Sequence, residues 1–448
     1  MFKRKIYEKL LEWKESSQGK SAVLIEGARR IGKSTVAEYF AKEQYDDYIL
    51  LDFSIEGANV RNNFEENIGD LDTFFRNLFT IKGKELKKRK SVIIFDEVQL
   101  FPLARQAIKH LVKDGRYDYI ETGSLISIKE NVKDILIPSE ELKLKMVPMD
   151  FEEFMWAEGN TVLIPTIKEG FDKRKPLGDI IHREAMKHFR TYMAVGGMPQ
   201  AVEAFVNGES YQRIDSIKKD ILALYYDDLK KYDDRYSEKA SLIFRTIPIQ
   251  LTEHNSNFRF SEIDKNARYK NYVDSVEFVS ESMMANECVN VTSPDVLMEL
   301  YAEKNNFKLY MGDTGLLITA LLAGNPDSKD IYQALIYDKL SSNLGMVVEN
   351  VVAQMLKASG HELYFHEYMY TPEDQDKEKK YEIDFLTVKK KKVCPIEVKS
   401  SGYTSHKSFD YFIKKYPIKV EDRYIIYTKD LMFKDQITYI PVYMTMFI

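Results

Sequence analysis

The stretch GARRIGKST, residues 27–35, fits the spacing G-x-x-x-x-G-K-S as Gly27, Gly32, Lys33 and Ser34. Glycines at these positions let backbone N–H groups turn inward around phosphates, and a helix that follows points its positive end at them. The whole loop, with Ala28, Arg29, Arg30, Ile31 and Thr35, is therefore a candidate cradle for a triphosphate such as ATP. Lys33 is expected to reach the β- and γ-phosphates, and the Ser34 hydroxyl to bind Mg²⁺. Further along, SVIIFDEVQ (91–99) ends an apolar run on Asp96 and Glu97. Asp96 suits the water shell of Mg²⁺, and Glu97 suits a base that polarises an attacking water. In ETGS, Thr122 or Ser124 would end the next strand beside the γ-phosphate. Ser124 joins Lys33 and Glu97 as a candidate catalytic group, and Gln99 is placed to connect the acidic pair to its neighbours. The blander alternatives are a glycine turn at a helix start, a solvated strand end and a helix-capping hydroxyl. Arg29, Arg30, Arg105, Arg116 and Arg190 are all available as a trans-acting finger, and the sequence does not choose among them.

A second constellation lies in YEIDFLTVKKKKVCPIEVKSS, residues 381–401. Alternation puts Glu397 and Lys399 on one strand face and Ile396 and Val398 on the other. Asp384 falls on a partner strand, and the lysines at 389–392 make the turn between them. Asp384 and Glu397 could hold a Mg²⁺ that activates water, with Lys399 orienting the nucleophile or neutralising charge. The Glu-x-Lys pattern alone means little, since it recurs at Glu12, Glu85, Glu141 and Glu378.

The elements that must position these groups follow from periodicity. Strands are expected at 22–27, 48–53, 91–97, 117–123 and 144–149, with a helix over 34–44. Strands alternating with helices argue for an α/β fold with a parallel sheet. The segment 151–232 reads as mostly helical, interrupted by AVGGMPQAV (194–202). From 233 to about 330, short helices alternate with strand-like pieces, and the remainder returns to mixed α/β, opening with a helix over 345–359. The expected domains are 1–150, 151–232, 233–331 and 332–448. The N-terminal segment reads as an amphipathic helix with Ile6, Leu10 and Trp13 on one face, not as a signal peptide.

Composition narrows the function classes. A chain of 448 residues with a formal charge of −5 has no global attraction for nucleic acid, so any polyanion site must be local. Cys288 and Cys394 fit no metal or redox spacing and read as free thiols of a reducing compartment. The longest weakly polar run, 315–324, is too short to span a bilayer. A cytoplasmic protein without a membrane segment is the expectation.

The combination RKIYEKLLEWK, IEGARRIGKST, IIFDEVQ and ETGSLISI resembles bacterial and archaeal AAA-type P-loop ATPases. The continuation LKMVPMDFEEF, VGGMPQAV, KLYMGDTGLL and GMVVENVV…EIDF…PIEVKS is similar to the members that carry a C-terminal domain of unknown function. The resemblance implies a five-stranded parallel sheet, a helical lid, a winged-helix-like domain and a restriction-endonuclease-like PD-(D/E)xK domain at the C-terminus. It also implies an upstream acid of the C-terminal site, matched by Glu349, and a turn or cap beside the ATPase for Asp313 and Gly315. AAA-type sites often borrow a residue from a neighbouring subunit, so an oligomer is consistent with it. The winged-helix-like and C-terminal domains are the candidates for contact with nucleic acid or a partner protein. Three functions are then in view: an ATPase whose nucleotide state controls the C-terminal domain, an ATP-gated nuclease, and a nucleotide-switched partner-binding protein with an inactive nuclease fold. The segment 264–275, with Lys265, Arg268 and Lys270 among acids, is too weak a basic stripe to favour DNA by itself.

Overall fold

The computed structural model describes residues 1–124, 138–231, 237–253, 257–323, 328–336, 345–373, 376–400, 405–416 and 422–448. The part of ETGSLISI after Ser124 and the expected boundary at 232 lie outside them. Two compact units result, one of Met1–Val147 with Glu281–Met283, the other of Pro148–Ser280 with Met284–Ile448.

The first unit runs α1 (Ile6–Ser17), β1 (Ala22–Glu26), α2 (Lys33–Gln44), β2 (Asp47–Asp52), α3 (Ala58–Asn67), α4 (Leu71–Lys82), β3 (Ser91–Asp96), α5 (Pro102–Asp114), β4 (Asp118–Gly123) and β5 (Glu141–Lys145). The strands form one parallel sheet in the order β2-β3-β4-β1-β5. β1, β3 and β4 are buried along their whole length, as apolar runs covered on both faces require. Phe53, Phe64, Phe74, Phe95 and Phe101 pack edge-on or tilted into one aromatic cluster over β2 and β3. Ile6, Leu10 and Trp13 are the buried face of α1. The strand expected at 144–149 instead spans Glu141–Lys145. Its ladder against β1 closes with the Met146 amide on the Glu26 carbonyl, and Pro148 has no N–H with which to extend it.

The second unit opens with helices α6 (Phe151–Ala157), α7 (Leu163–Lys173), α8 (Asp179–Val195), α9 (Pro199–Val206), α10 (Tyr211–Lys231), α11 (Ser237–Thr252) and α12 (Val273–Glu281). There follow β6 (Ala285–Val291), β7 (Ala302–Met311), α13 (Thr314–Leu321), α14 (Ser328–Ile336), α15 (Gly345–Ala358), β8 (Leu363–Tyr370), β9 (Lys379–Lys389), β10 (Lys392–Val398), α16 (Lys407–Lys415), β11 (Tyr424–Tyr427), β12 (Met432–Lys434) and β13 (Ile437–Pro441). All eight strands join one mixed sheet, ordered β12-β13-β11-β10-β9-β8-β6-β7. The β6–β7 hairpin, from the segment expected to be winged-helix-like, pairs with β8 through Cys288–Asn290 and so extends the C-terminal sheet. The lysine turn joins β9 and β10 as read, with Lys390 and Lys391 both at positive φ (48° and 65°). Glycine or asparagine is the usual occupant of such a turn.

Two motifs of the middle region meet here. Gly196 has φ +86°, and a Cβ on it would lie 2.4 Å from Asp313 Oδ1. Asp313 accepts from the Gly197 amide at 2.6 Å and from the Leu316 amide at 2.9 Å, capping α13. Buried Lys218 donates to the carbonyls of Ala194 and Gly315 and to the Tyr332 hydroxyl. VGGMP and DTGL are thus the two halves of one tight crossing. Cys288 and Cys394 are both buried. No helix among the described residues is long and apolar enough to cross a membrane.

Candidate functional site: a phosphate loop and a carboxylate cluster

The loop 27–32 leaves the C-terminal end of β1 and enters α2, so it opens where parallel-sheet ligand sites lie. Gly32 has φ 94° and Arg30 φ 65°, which turn the backbone sharply before the helix. Gly27 is required for a different reason: a Cβ there would come within 2.3 Å of the Met146 carbonyl. Ile31 is buried and anchors the loop, while Arg30 and Thr35 are exposed. Lys33 is buried and folds back on the loop, donating to the carbonyls of Gly27 (3.1 Å) and Ala28 (2.9 Å). Burial draws its ammonium down to about 8, against the opposing pull of Glu97 and Asp96.

Adjacent strand tips supply the acids. The Ser34 hydroxyl donates to Asp96 Oδ1 at 2.6 Å, and the Thr122 hydroxyl donates to the same oxygen. Thr122 also accepts from the Glu97 amide at 3.4 Å. Glu97 stands at φ 51°, and its carboxylate accepts from the Gln99 amide, the link expected for Gln99. The structure therefore brings Lys33, Ser34, Asp96, Glu97 and Thr122 together, with Thr122 as the hydroxyl on Asp96. Ser124 is buried two residues on. Of the five arginines considered, Arg105 is fully buried in a two-pronged pair with Glu141 (2.9 and 2.8 Å), which takes it out of reach of any neighbour. Arg116 is paired with Asp114 and Asp72. Sequence reasoning missed Arg4. It is buried and ties the Ile31 carbonyl (2.7 Å) to that of Val147 (2.6 Å), fixing the loop against the chain that follows β5. Its only signal was an arginine in the middle of the basic KRK that precedes an amphipathic helix.

In the second unit, Glu349 on α15, Asp384 on β9, Glu397 on β10 and Lys399 just beyond it do converge. Lys399 Nζ lies 2.7 Å from Glu397 Oε1, and the Val398 amide donates to Asp384 Oδ2 at 2.7 Å. Glu397 is 4% exposed, and its Oε2 has no hydrogen-bond partner among the described residues. Desolvation first, and then the charges of Glu397 and Glu349, push the Asp384 carboxyl well above the usual range. Glu397 is raised mainly by burial, with Lys399 working against it. Two residues from outside this segment enter the cluster: Lys308 Nζ lies 3.4 Å from Glu349 Oε1 and 2.5 Å from Glu382 Oε1, and the Tyr310 hydroxyl donates to Glu349. Glu349 and Glu382 are turned onto these donors, Asp384 onto the Val398 amide and Glu397 onto Lys399. Accordingly, no group of three or more metal-ligating side chains is arranged around one centre among the described residues.

Strand order, loop and acids define a P-loop α/β domain in the first unit. Residues 19–155 match the family model described as an AAA domain, in agreement with the P-loop α/β arrangement of this part of the chain. Residues 186–327 and 344–445 match two further models, both described as domains of unknown function (DUF8612 and DUF4143). No curated protein matches the chain. Solved structures that align with it include the Thermotoga maritima RuvB Holliday junction branch migration motor, at 12% identity over 63% of this chain and 89% of that one, TM-score 0.29. Cdc6p from Pyrobaculum aerophilum aligns at 10% identity over 75% and 94%, TM-score 0.24, and C. elegans PCH-2 at 11% over 37% and 46%, TM-score 0.21. Scores this low carry no weight beside the family model and the site's own geometry.

Proposed function

We propose that the chain is a Mg²⁺-dependent ATPase whose nucleotide state controls its C-terminal domain. The observation that carries this is the meeting of Ser34 and Thr122 on one oxygen of Asp96, beside a lysine whose ammonium rests on loop carbonyls. Hard oxygen donors at strand tips next to a phosphate loop suit Mg²⁺, which would neutralise phosphate charge when bound. The chain's own residues do the rest. Loop amides from Gly27 to Thr35 bind phosphate oxygens, and Lys33 leaves its two carbonyls for the terminal phosphates. Ser34 and Asp96 hold the metal position, Asp96 through water. Glu97 accepts the proton side of the attacking water, with Gln99 orienting its carboxylate. Ser124 or Thr122 reports the γ-phosphate. The domain limits at 150, 232 and 331, the winged-helix-like character of 233–331, a cytoplasmic location and contact with nucleic acid or a partner protein belong to the same reading.

The deciding experiment is Glu97→Gln in the full chain. ATP binding should stay within about threefold of the parent while hydrolysis falls by about a hundredfold, the range general-base loss commands. Turnover at the parental rate would remove Glu97 from the role.

A second reading is favoured by the buried, unpartnered Oε2 of Glu397 beside Asp384 and Lys399. Two carboxylates with a free oxygen suit a hard divalent cation, and the order α15, β8, β9, β10, α16, β11 is consistent with the restriction-endonuclease-like core that the resemblance implies. Here Asp384 and Glu397 would hold the ion, Lys399 would orient the nucleophile and Glu349 would complete the set, giving an ATP-gated nuclease. Absence of cutting of DNA and RNA with Mg²⁺ or Mn²⁺, with and without ATP, would leave a nucleotide-switched partner-binding protein with an inactive nuclease fold.

A further inference from the structure

Lys308 lies on β7, within residues 186–327 matched by one domain model, yet its ammonium is buried among carboxylates of residues 344–445 matched by another. A lone lysine on a strand that alternates, as in FKLYM, ordinarily points to solvent or snorkels. Here Lys308 bridges Glu349 and Glu382, which come from a helix and a strand far along the chain. Tyr310 sits on the same strand face and donates to the same Glu349 oxygen. With every carboxyl ionised, the form that would hold a cation, Glu349, Glu382, Asp384 and Glu397 bring four negative charges against two positive ones from Lys308 and Lys399. The neighbouring Glu367 has its own partner in Lys380, at 2.6 Å. The cluster is thus short by two positive charges, the charge of one divalent ion, and Lys308 keeps the deficit from being three.

We propose that Lys308 is the resident counter-ion of the C-terminal carboxylate site, and that its charge sets how strongly the site takes a hard divalent cation. It acts as a positioning and charge-setting residue and touches no substrate. The inference rests on the second reading above, that Asp384 and Glu397 take such an ion. Physically, an ammonium held on Glu349 competes for that carboxylate and repels an incoming cation through a poorly screened interior. The site then requires both chain segments: the acids from one, the cation that tunes them from the other.

The test is calorimetric titration of Mn²⁺ into the nucleotide-free full chain, with Asp384→Asn identifying the heat that belongs to this site. Lys308→Gln should bind Mn²⁺ about tenfold or more tightly than the parent, because one opposing charge is gone. Lys308→Gln combined with Glu382→Gln restores the original net charge and should bind within about threefold of the parent. Circular dichroism melts establish that each variant is folded. Should Lys308→Gln alone fail to fold, the double variant decides, since its neutral amide pair replaces the ion pair at constant charge: unchanged affinity supports the proposal, and a tenfold change overturns it. Parental binding that Lys308→Gln leaves equal or weakens overturns this role for Lys308 and leaves the metal reading standing. Absence of Mn²⁺ binding in the parent and in every folded variant overturns both.

Discussion

Lys33 and Lys308 are both buried lysines beside two acids, and they have opposite electrostatic fates. Lys33 donates to two backbone carbonyls, and burial lowers its ammonium to about 8. Lys308 bonds carboxylates directly, and Glu349 and Glu382 hold it well above the ordinary lysine range despite the cost of burial. A buried cation satisfied only by neutral dipoles is an incomplete ion pair, and the loop around it can admit an anion. A buried cation already seated on two carboxylates has its anion within the fold. The acids differ in the same sense. Asp96 is held by two neutral hydroxyls, whereas Glu349 and Glu397 are held by ammonium groups. The first site leaves its lysine without a carboxylate in direct contact, and the second seats each of its lysines on one.

The comparison is broken most easily at Lys33. Lys33→Ala removes the partner of the terminal phosphates and should weaken ATP binding by about a hundredfold, the scale of losing one member of a desolvated charge pair. Equilibrium titration with a fluorescent ATP analogue measures it, and affinity within threefold of the parent would mean the loop does not use this lysine. A smaller effect sharpens the same point. Only the charged form of Lys33 pairs with phosphate, and its free-protein value is lowered to about 8. Bound phosphate raises that value, so nucleotide binding takes up a proton at alkaline pH. ATP affinity should be level below pH 7 and about tenfold lower at pH 9 than at pH 7. Lys33→Arg, which stays charged, should flatten the profile. A profile already flat in the parent would show Lys33 to be fully protonated throughout.

How much of this was legible in the chain depends on how far apart the cooperating residues are. The phosphate loop was readable because its glycines, lysine and serine are local, and Asp96 because an apolar run ends on it. Asp384, Glu397 and Lys399 were readable because one hairpin with a lysine tip carries them. Lys308 was not: its partners lie in α15 and β9, and nothing in FKLYM marks it off from an exposed strand lysine. Nor could periodicity show that β6 pairs with β8, since strand partners are chosen by the whole sheet. The strand expected at 144–149 was displaced because the ladder against β1 ends at the Met146 amide and Pro148 has no N–H to extend it, while the charged ELKLK forms the edge. Arg4 bonds two carbonyls, and carbonyl partners leave no trace in side-chain types.

The hydroxyls at the strand tips give the finest test of the contrast between the two sites. Thr122 and Ser124 looked equivalent in the sequence, both just where a strand should end near the γ-phosphate. In the fold Thr122 donates to Asp96 and accepts from the Glu97 amide, so it links the acid proposed to hold the metal to the proposed base. Thr122→Val keeps the volume and removes that link. Ser34 still donates to the same Asp96 oxygen, so the acid remains partly held and ATP affinity should change by less than about threefold. The rate constant for hydrolysis should drop about fivefold, the worth of one net hydrogen bond of ~1 kcal/mol. Ser124→Ala should cost less. Single-turnover hydrolysis at saturating ATP separates the two, and a larger loss at Ser124 than at Thr122 would place the γ-phosphate sensor one strand-residue pair further along the chain and leave Thr122 as a brace for Asp96.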